Sequence, residues 1–446
     1  MRMFFTILIC KILRFLGGLL GRGSSLPGEI ALKLDPNILR KLKLPKYVIA
    51  VTGSNGKTST VEMISQILRK NGLKVAYNKE GSNQIEGVTT FLLSDSTLGG
   101  RIKSDIVLIE SDERFARHTF KHFIPTHYVI TNLYRDQLTR NGHPEWVYDI
   151  IGQSVHDGSQ LILNADDPLV SCFGFGRENV IYFGVDRFAG STDQNTSVYN
   201  DGKYCPRCKA PMEYEYYHYN HIGKYNCPNC GLHRCDTRFS VTDVNLSDGY
   251  IVLDGKYRVT LALKSIYNVY NILAAYSVAR LVGIDGEKIA QDISSYVLKN
   301  GRVITFTLGG HEGTLLTSKH ENSISYDQSL RVARAYPGDT TVMIVVDRIS
   351  RKYFTSETSW LWDIDFELLE HDNIKKIVLA GAYASDLAER FSYTGIDPAI
   401  ITVNKSVSGA LEDLKQNTVG YLYAITCFSD KDKIIAGIQV EKPEEE

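Results

Sequence analysis

Tyr47-Val-Ile-Ala-Val-Thr-Gly-Ser-Asn-Gly-Lys-Thr58 is the stretch that decides how this chain folds. Tyr47 to Thr52 is a short apolar run, the pattern of a buried strand. Gly53-Ser54-Asn55-Gly56-Lys57-Thr58 follows, and then Ser59 and a helical pattern with Val61, Ile64, Ile67 and Leu68 on one face, ending at Asn71-Gly72. A strand, a glycine loop ending in Lys-Thr and a helix together make a phosphate cradle. The glycines let backbone N–H groups turn toward phosphate oxygens, and the helix start adds its partial positive charge. In this reading Gly53, Ser54, Asn55, Gly56, Lys57, Thr58 and Ser59 bind a nucleotide. Lys57 neutralises the β- and γ-phosphates, and the Thr58 hydroxyl binds Mg²⁺. The loop is two residues shorter than the standard Walker A spacing. The plain alternative is a tight glycine turn with a surface lysine, against which the flanking strand and helix argue.

Outward from the loop the chain alternates strands and helices. Leu73 to Tyr77, Asp105 to Glu110, His127 to Thr131, Gln160 to Asn164 and Val180 to Gly184 are further strand candidates, which implies a mostly parallel sheet covered on both faces. A carboxylate at the end of a buried strand beside a phosphate loop suits a Mg²⁺ ligand, and Glu110, ahead of Asp112 and Glu113, is the favoured one. A helix over Asn268 to Val282 stops at Gly283. After Gly301-Arg302 a second α/β pattern begins, with strands near Thr341 to Val346, Ile374 to Leu379, Ile400 to Val403 and Gly420 to Ile425. The expected organisation is an N-terminal amphipathic helix and lead-in over 1–40, an ATP-binding domain over 41–302 and a C-terminal α/β domain over 303–446. The acidic end Glu441 to Glu446 reads as a solvated tail.

Region 200–240 interrupts this rhythm. Five of the eight cysteines fall between Cys205 and Cys235. Cys205-Pro-Arg-Cys208 and Cys227-Pro-Asn-Cys230 have the spacing of a four-thiolate zinc ribbon, a structural site because four sulfurs leave no open position. Two redox CxxC pairs are the alternative, with His233 and Cys235 as spare ligands. The chain has 446 residues, 50 Lys+Arg against 51 Asp+Glu, and 43% hydrophobic residues. That length suggests about three domains. The balance excludes wholesale disorder and argues against nucleic-acid binding by bulk charge, which leaves the ribbon as the one feature that would support it. Residues 3–21 are strongly apolar but carry Lys11 and Arg14, too interrupted for a transmembrane helix. They read as an amphipathic helix packed on the body, with a membrane-surface helix or a signal peptide as alternatives. A nucleotide site places the chain in the cytoplasm, at most peripheral to the inner face of the plasma membrane.

Four motifs carry a family resemblance: Gly53-Ser-Asn-Gly-Lys-Thr58, Thr131-Asn132-Leu-Tyr-Arg-Asp136-Gln137, Leu163-Asn-Ala-Asp-Asp-Pro168 and Tyr267-Asn268-x-x-Asn271. Together they resemble the Mur ligase superfamily, which joins amino acids to peptidoglycan precursors through an ATP-made acyl phosphate. The inserted Cys₄ module, Gly21-Arg-Gly-Ser-Ser-Leu-Pro27 and Thr358-Ser-Trp-Leu-Trp-Asp363-x-Asp365-Phe-Glu367 are similar to its amidating branch, the synthetase subunits of lipid II isoglutaminyl synthase. Gln137, where amino-acid-adding ligases carry His, points the same way. The resemblance implies a Mur ligase-like P-loop ATPase domain with a parallel sheet, an inserted zinc ribbon over 200–240 and a C-terminal Rossmann-like α/β domain. It implies amidation of the D-glutamate α-carboxyl of the lipid II stem peptide, using ATP, Mg²⁺ and ammonia from a GatD-like glutaminase that the C-terminal domain contacts. It places Asn268 and Asn271 near adenine and Arg302 near ribose or phosphates; helix capping is the alternative for Asn268.

The chain carries no glutaminase elbow of its own: Cys172 in Val-Ser-Cys-Phe-Gly and Cys427 in Ile-Thr-Cys-Phe-Ser lack the G-x-C-x-G form. By resemblance Glu357 stands where the branch has an Asp that completes the partner's Cys–His pair. Tyr383 replaces a usual Arg, and Arg302 precedes Val-Ile instead of Gln-Glu. The nucleotide half thus keeps its pattern while the partner-facing half departs from it. A Mur-type amino-acid ligase and a non-catalytic ATP-binding paralogue are the competing expectations.

Overall fold

The computed structural model describes residues 1–19, 24–78, 83–136, 141–296, 303–348 and 357–440. Arg302, Gln137 and the acidic tail after Val440 therefore lie outside the described residues. Two compact units divide the chain. The first takes the described residues of Met1–Tyr134, His143–Thr196 and Asn200–Val297; the second takes those of Arg135–Gly142, Ser197–Tyr199 and Leu298–Glu446.

In the first unit helices α1 (Arg2–Leu19) and α2 (Leu26–Leu34) precede strand β1 (Tyr47–Thr52) and helix α3 (Lys57–Lys70). Strand β2 (Val75–Tyr77), helix α4 (Ile85–Asp95), β3 (Ile106–Glu110), β4 (His127–Ile130), β5 (Gln160–Asn164) and β6 (Val180–Val185) follow. β7 (Glu213–Tyr219) and β8 (Ile222–Asn226) form a separate hairpin, and β9 (Phe239–Asn245), β10 (Tyr250–Leu253) and β11 (Tyr257–Thr260) complete the main sheet. Its order is β11-β10-β9-β6-β5-β4-β1-β3-β2. β1 to β6 and β9 run parallel, and β10 and β11 add an antiparallel edge.

The parallel part follows from composition. β1 and β3 are runs of Val, Ile, Ala and Leu buried on both faces, as a helix-covered parallel strand requires. α3 turns Val61, Ile64, Ile67 and Leu68 inward, and it packs on the helix Ile266–Val282. That helix starts two residues before the expected Asn268. Ser265 is its N-cap residue, so Asn268 does not cap it. α1 and α2 join the core beneath α4, where Ile7, Cys10 and Ala31 cluster with Val88, Leu92 and Leu93.

The second unit holds β12 (Val303–Leu308), β13 (His311–Ser318), β14 (Thr340–Val345), β15 (Ile374–Ala380), β16 (Ile401–Asn404), β17 (Tyr421–Cys427) and β18 (Gln439–Val440). Their order is β16-β15-β14-β17-β13-β12-β18, parallel from β16 to β13 and antiparallel at β12 and β18. Two apolar clusters, one around Tyr326, Trp360 and Phe366 and one around Phe306, Leu411 and Leu414, complete this unit's core.

Candidate active site and metal centre

Strand order in the first unit reverses about β1: the chain goes to β3 and β2 on one side and to β4, β5 and β6 on the other. Ligands of open α/β sheets bind at such a point, outside the carboxyl ends of the strands. The loop Gly53–Thr58 leaves β1 there. Val51 pairs with Glu110 across β1 and β3, and Thr52 pairs with Ile130 across β1 and β4, so the strand ends bring Glu110 and Asn132 beside the loop.

Residues just after β4 tie down the loop. Ser54 N donates to Asn132 O (2.9 Å), Asn55 N to Asn132 Oδ1 (2.8 Å) and Thr131 Oγ1 to Asn55 O (3.0 Å). Tyr134 N donates to Ser54 Oγ at 2.9 Å. Gly53 and Gly56 have φ of +135° and +82°, and an added Cβ would lie 2.2 Å from Thr131 Oγ1 at the first and 1.9 Å from Asn271 Oδ1 at the second. Only glycine permits this close approach. The structure thereby brings Asn271 to the loop. Asn268, three residues earlier, is buried and donates Nδ2 to Leu263 O at 3.2 Å. Gly56 is the N-cap position of α3 and no side chain caps it, so the helix start faces the loop.

Lys57 is the first residue of α3 and is buried. Its Nζ donates to Gly53 O, to Ser54 O (3.3 Å) and to Glu113 Oε1, an ion pair whose side chains are 8% and 5% exposed. Thr58 Oγ1 donates to Glu110 Oε1 at 3.0 Å, which places the two expected Mg²⁺ ligands side by side. Ser59 is half-buried in the same turn. Asn78, just past β2, fixes the Glu110 backbone with two 2.8 Å bonds: its Nδ2 donates to Glu110 O, and its Oδ1 accepts from Glu110 N. Glu113, Asn78 and Asn132 are site residues that sequence reasoning did not assign. Glu113 and Asn132 lay inside motifs that it had singled out.

The four cysteines of the ribbon converge. Their Sγ atoms lie within 4.8 Å of one another, with Cys205 to Cys230 at 3.6 Å and Cys208 to Cys227 at 3.4 Å. Sulfurs around a tetrahedral Zn²⁺ with Zn–S bonds of about 2.3 Å stand roughly 3.8 Å apart, so the set fits that ion. The two turns match: Lys209 N donates to Cys205 O (2.9 Å) and Gly231 N to Cys227 O (3.0 Å). His233 and Cys235 stand outside the cluster.

The ribbon's hairpin reaches the loop's support. Tyr219, at the end of β7, hydrogen-bonds Tyr134 through the two hydroxyls, and the buried His221 ring packs 5.4 Å from that of Tyr134. His221 Nε2 lies 3.7 Å from Asp167 Oδ2. Burial alone would lower this imidazole's pKa, but the nearby Asp167 carboxylate outweighs it and holds the pKa above the usual range.

In the second unit Glu357 is exposed. Its Oε1 accepts from Ser359 N at 2.8 Å, and hydrogen bonds from Ser359 hold its carboxyl below the usual range. Arg135 and Asp136 belong to this unit: Arg135 Nη1 donates to Asp363 Oδ1 (2.9 Å) and Asn322 Nδ2 to Asp136 Oδ1 (2.5 Å). Cys172 and Cys427 are buried, and burial is the main cause that pushes each thiol up to about 12, far from a nucleophile's range.

This fold has relatives. Residues 51–232 match the Mur ligase middle domain, and residues 320–430 match the MurT ligase C-terminal family. A pseudomurein peptide ligase type C from Methanothermus fervidus has a similar structure, with a TM-score of 0.70 at 22% identity over 90% of this chain and 80% of that one. MurF from Thermotoga maritima, solved in complex with ADP, gives a TM-score of 0.58 at 15% identity over 92% and 83%. The architecture is that of a Mur ligase. At the sequence level the chain is 32% identical over 407 residues to the MurT subunit of lipid II isoglutaminyl synthase (glutamine-hydrolyzing) of Staphylococcus aureus (strain COL), covering 90% of each chain. It is 31% identical over 418 residues to the subunit of that name from Streptococcus pneumoniae, covering 92% of this chain and 91% of that one. The chain belongs to the MurT family.

Proposed function

We propose that the chain is the ATP-dependent synthetase subunit of an enzyme that amidates the D-glutamate α-carboxyl of lipid II to D-isoglutamine. The observation that carries this reading is the loop at β1 of a MurT-family chain. There Lys57 is buried at an uncapped helix start, and Thr58 touches Glu110. The α-carboxylate oxygen takes the γ-phosphoryl group of ATP and ADP leaves. Ammonia then attacks the carbonyl carbon, its proton goes to water, and the C–O bond to phosphate breaks to leave the amide. A carboxylate is a poor electrophile, and this step supplies the leaving group. Lys57 and the loop N–H groups offset charge that develops on the transferred group. Thr58 and Glu110 would hold Mg²⁺, which when bound neutralises phosphate charge. Gly53 to Ser59 cradle the phosphates, and the family resemblance assigns Asn268 and Asn271 to adenine and Arg302 to ribose or phosphates. Cys205, Cys208, Cys227 and Cys230 would hold Zn²⁺, which when bound fixes the ribbon whose hairpin backs Tyr134. The subunit works at the inner face of the plasma membrane with a GatD-like glutaminase as partner, and Glu357 orients that partner's catalytic histidine.

Reconstitution with the glutaminase tests this. Lipid II, ATP and glutamine should yield isoglutaminyl product, and ammonium salts alone should support the reaction without the partner. Glu357→Gln should lower glutamine-driven amidation at least about tenfold, because a displaced carboxylate misorients the histidine. It should leave ammonia-driven turnover within about twofold, since nothing in the ammonia step touches this residue. Product carrying an added amino acid in place of the amide would contradict the proposal.

A further inference from the structure

α1 has two apolar faces. Thr6, Ile7 and Cys10 face α2 and α4 and are buried. On the opposite side Phe4, Phe5, Ile12, Phe15, Leu16 and Leu19 are 44–71% exposed. At 3.6 residues per turn these six share one side of the helix, without a polar side chain among them. A contiguous patch of this kind marks an interaction surface, whereas scattered apolar residues do not. Arg2–Leu19 contains Arg2, Lys11 and Arg14 and no acidic residue. Arg2 and Lys11 border the outer face, donating at 2.7 Å to Leu34 O and Ser94 O respectively. Among the described residues no helix is long and apolar enough to cross a membrane.

Arg14 of the same helix lines the edge of a cavity. About 360 Å³ lies beside the helix, bounded in part by Arg14, Arg69, Tyr77, Asn78, Thr90 and Asp95. Arg14 and Arg69 outnumber Asp95 in this wall; Arg69 Nη2 donates to Val75 O at 2.7 Å and the guanidinium lies over the Tyr77 ring, while Asp95 Oδ2 accepts from Ser104 N at 3.0 Å. Asn78 ties the cavity to the crevice through its two bonds to the Glu110 backbone.

We infer that α1 lies in the plane of an anionic membrane through its Phe4-to-Leu19 face, and that the Arg14–Arg69 cavity beside it admits the phosphate-bearing headgroup of a lipid substrate. Hydrocarbon takes the six outer side chains, while anionic headgroups take the bordering cations. A second copy of the chain fits this face less well, because pairing two such helices would set cations against cations with no acid to answer them. The inference rests on the reading that the acceptor is lipid-borne.

The test uses the full-length protein in flotation with phosphatidylglycerol or phosphatidylcholine vesicles. Wild type should float with phosphatidylglycerol and bind phosphatidylcholine at least about tenfold more weakly. The double variant Phe5→Ser/Phe15→Ser, altered only at exposed positions, should lose at least about tenfold of that binding. It should amidate vesicle-borne lipid II at least about tenfold more slowly, yet match wild type on an acceptor stripped of its lipid tail. Arg14→Gln should float normally and raise KM for the vesicle-borne acceptor. Wild type that stays off phosphatidylglycerol vesicles, a double variant that floats as well as wild type, or a wild-type dimer in light scattering that the double variant dissociates would overturn the docking. An unchanged KM for Arg14→Gln would overturn the cavity's part. Wild type that floats yet amidates neither acceptor would count against the amidation reading alone.

Discussion

Replacing Lys57 by alanine is expected to lower ATP-dependent amidation by about 10³-fold or more, with metal content unchanged from wild type. The loss has two physical parts that need separating. In the proposed reaction Lys57 supplies the loop's cation for the phosphates, and in the structure it neutralises Glu113, which is 5% exposed. Removing one member of a buried pair strands the other charge and costs about 3–5 kcal/mol of stability. Lys57→Ala should therefore melt lower as well as turn over more slowly. The double variant Lys57→Met/Glu113→Gln removes both charges at nearly constant volume and should recover most of the melting temperature without recovering turnover. Activity returning together with stability would make Lys57 a structural residue and remove it from the chemistry. The ribbon's four cysteines, which neither substitution touches, serve as the internal control for folding.

Glu110→Gln is expected to reduce turnover by about 10²-fold or more and to shift the Mg²⁺ requirement upward. Gln keeps the shape and an oxygen that accepts from Thr58 Oγ1, now at 3.0 Å. It gives up the negative charge that a hard divalent cation needs. Asn78 grips the Glu110 backbone and not its carboxylate, so the strand end should stay in place and the defect should be electrostatic. Titration of turnover with MgCl₂ reads this directly. A Mg²⁺ half-saturation unchanged from wild type would move the metal to Asp112 or another acid of the same turn.

Much of this crevice was legible because it rests on local pattern. The apolar run Tyr47 to Thr52, two glycines and a Lys-Thr pair specify strand, loop and helix in one short stretch, and Asp105 to Glu110 ends a buried strand in a carboxylate. The Lys57–Glu113 pair was not legible. Glu110, Asp112 and Glu113 fall within four positions, and which of them meets the lysine depends on how the chain turns after β3. Capping, the alternative reading of Asn268, fails because the helix begins earlier, behind Ser265. The antiparallel edges were missed although signals existed. Tyr257-Arg-Val-Thr260 alternates buried and exposed positions, and Gly309-Gly310 separates β12 from β13 in the manner of a two-residue hairpin. The direction of α1 could not be read from periodicity, since both of its sides are apolar and tertiary packing alone selects Thr6, Ile7 and Cys10 as the inner one.

Oxygen tracing offers the most direct measurement. If the loop at β1 hands the terminal phosphoryl group of ATP to the D-glutamate carboxylate, lipid II labelled with ¹⁸O in that carboxyl must pass one labelled oxygen to inorganic phosphate for each amide formed. The account predicts ¹⁸O in phosphate in step with isoglutamine, and none in ADP. Amide formed with unlabelled phosphate, or with AMP and pyrophosphate as products, would contradict it.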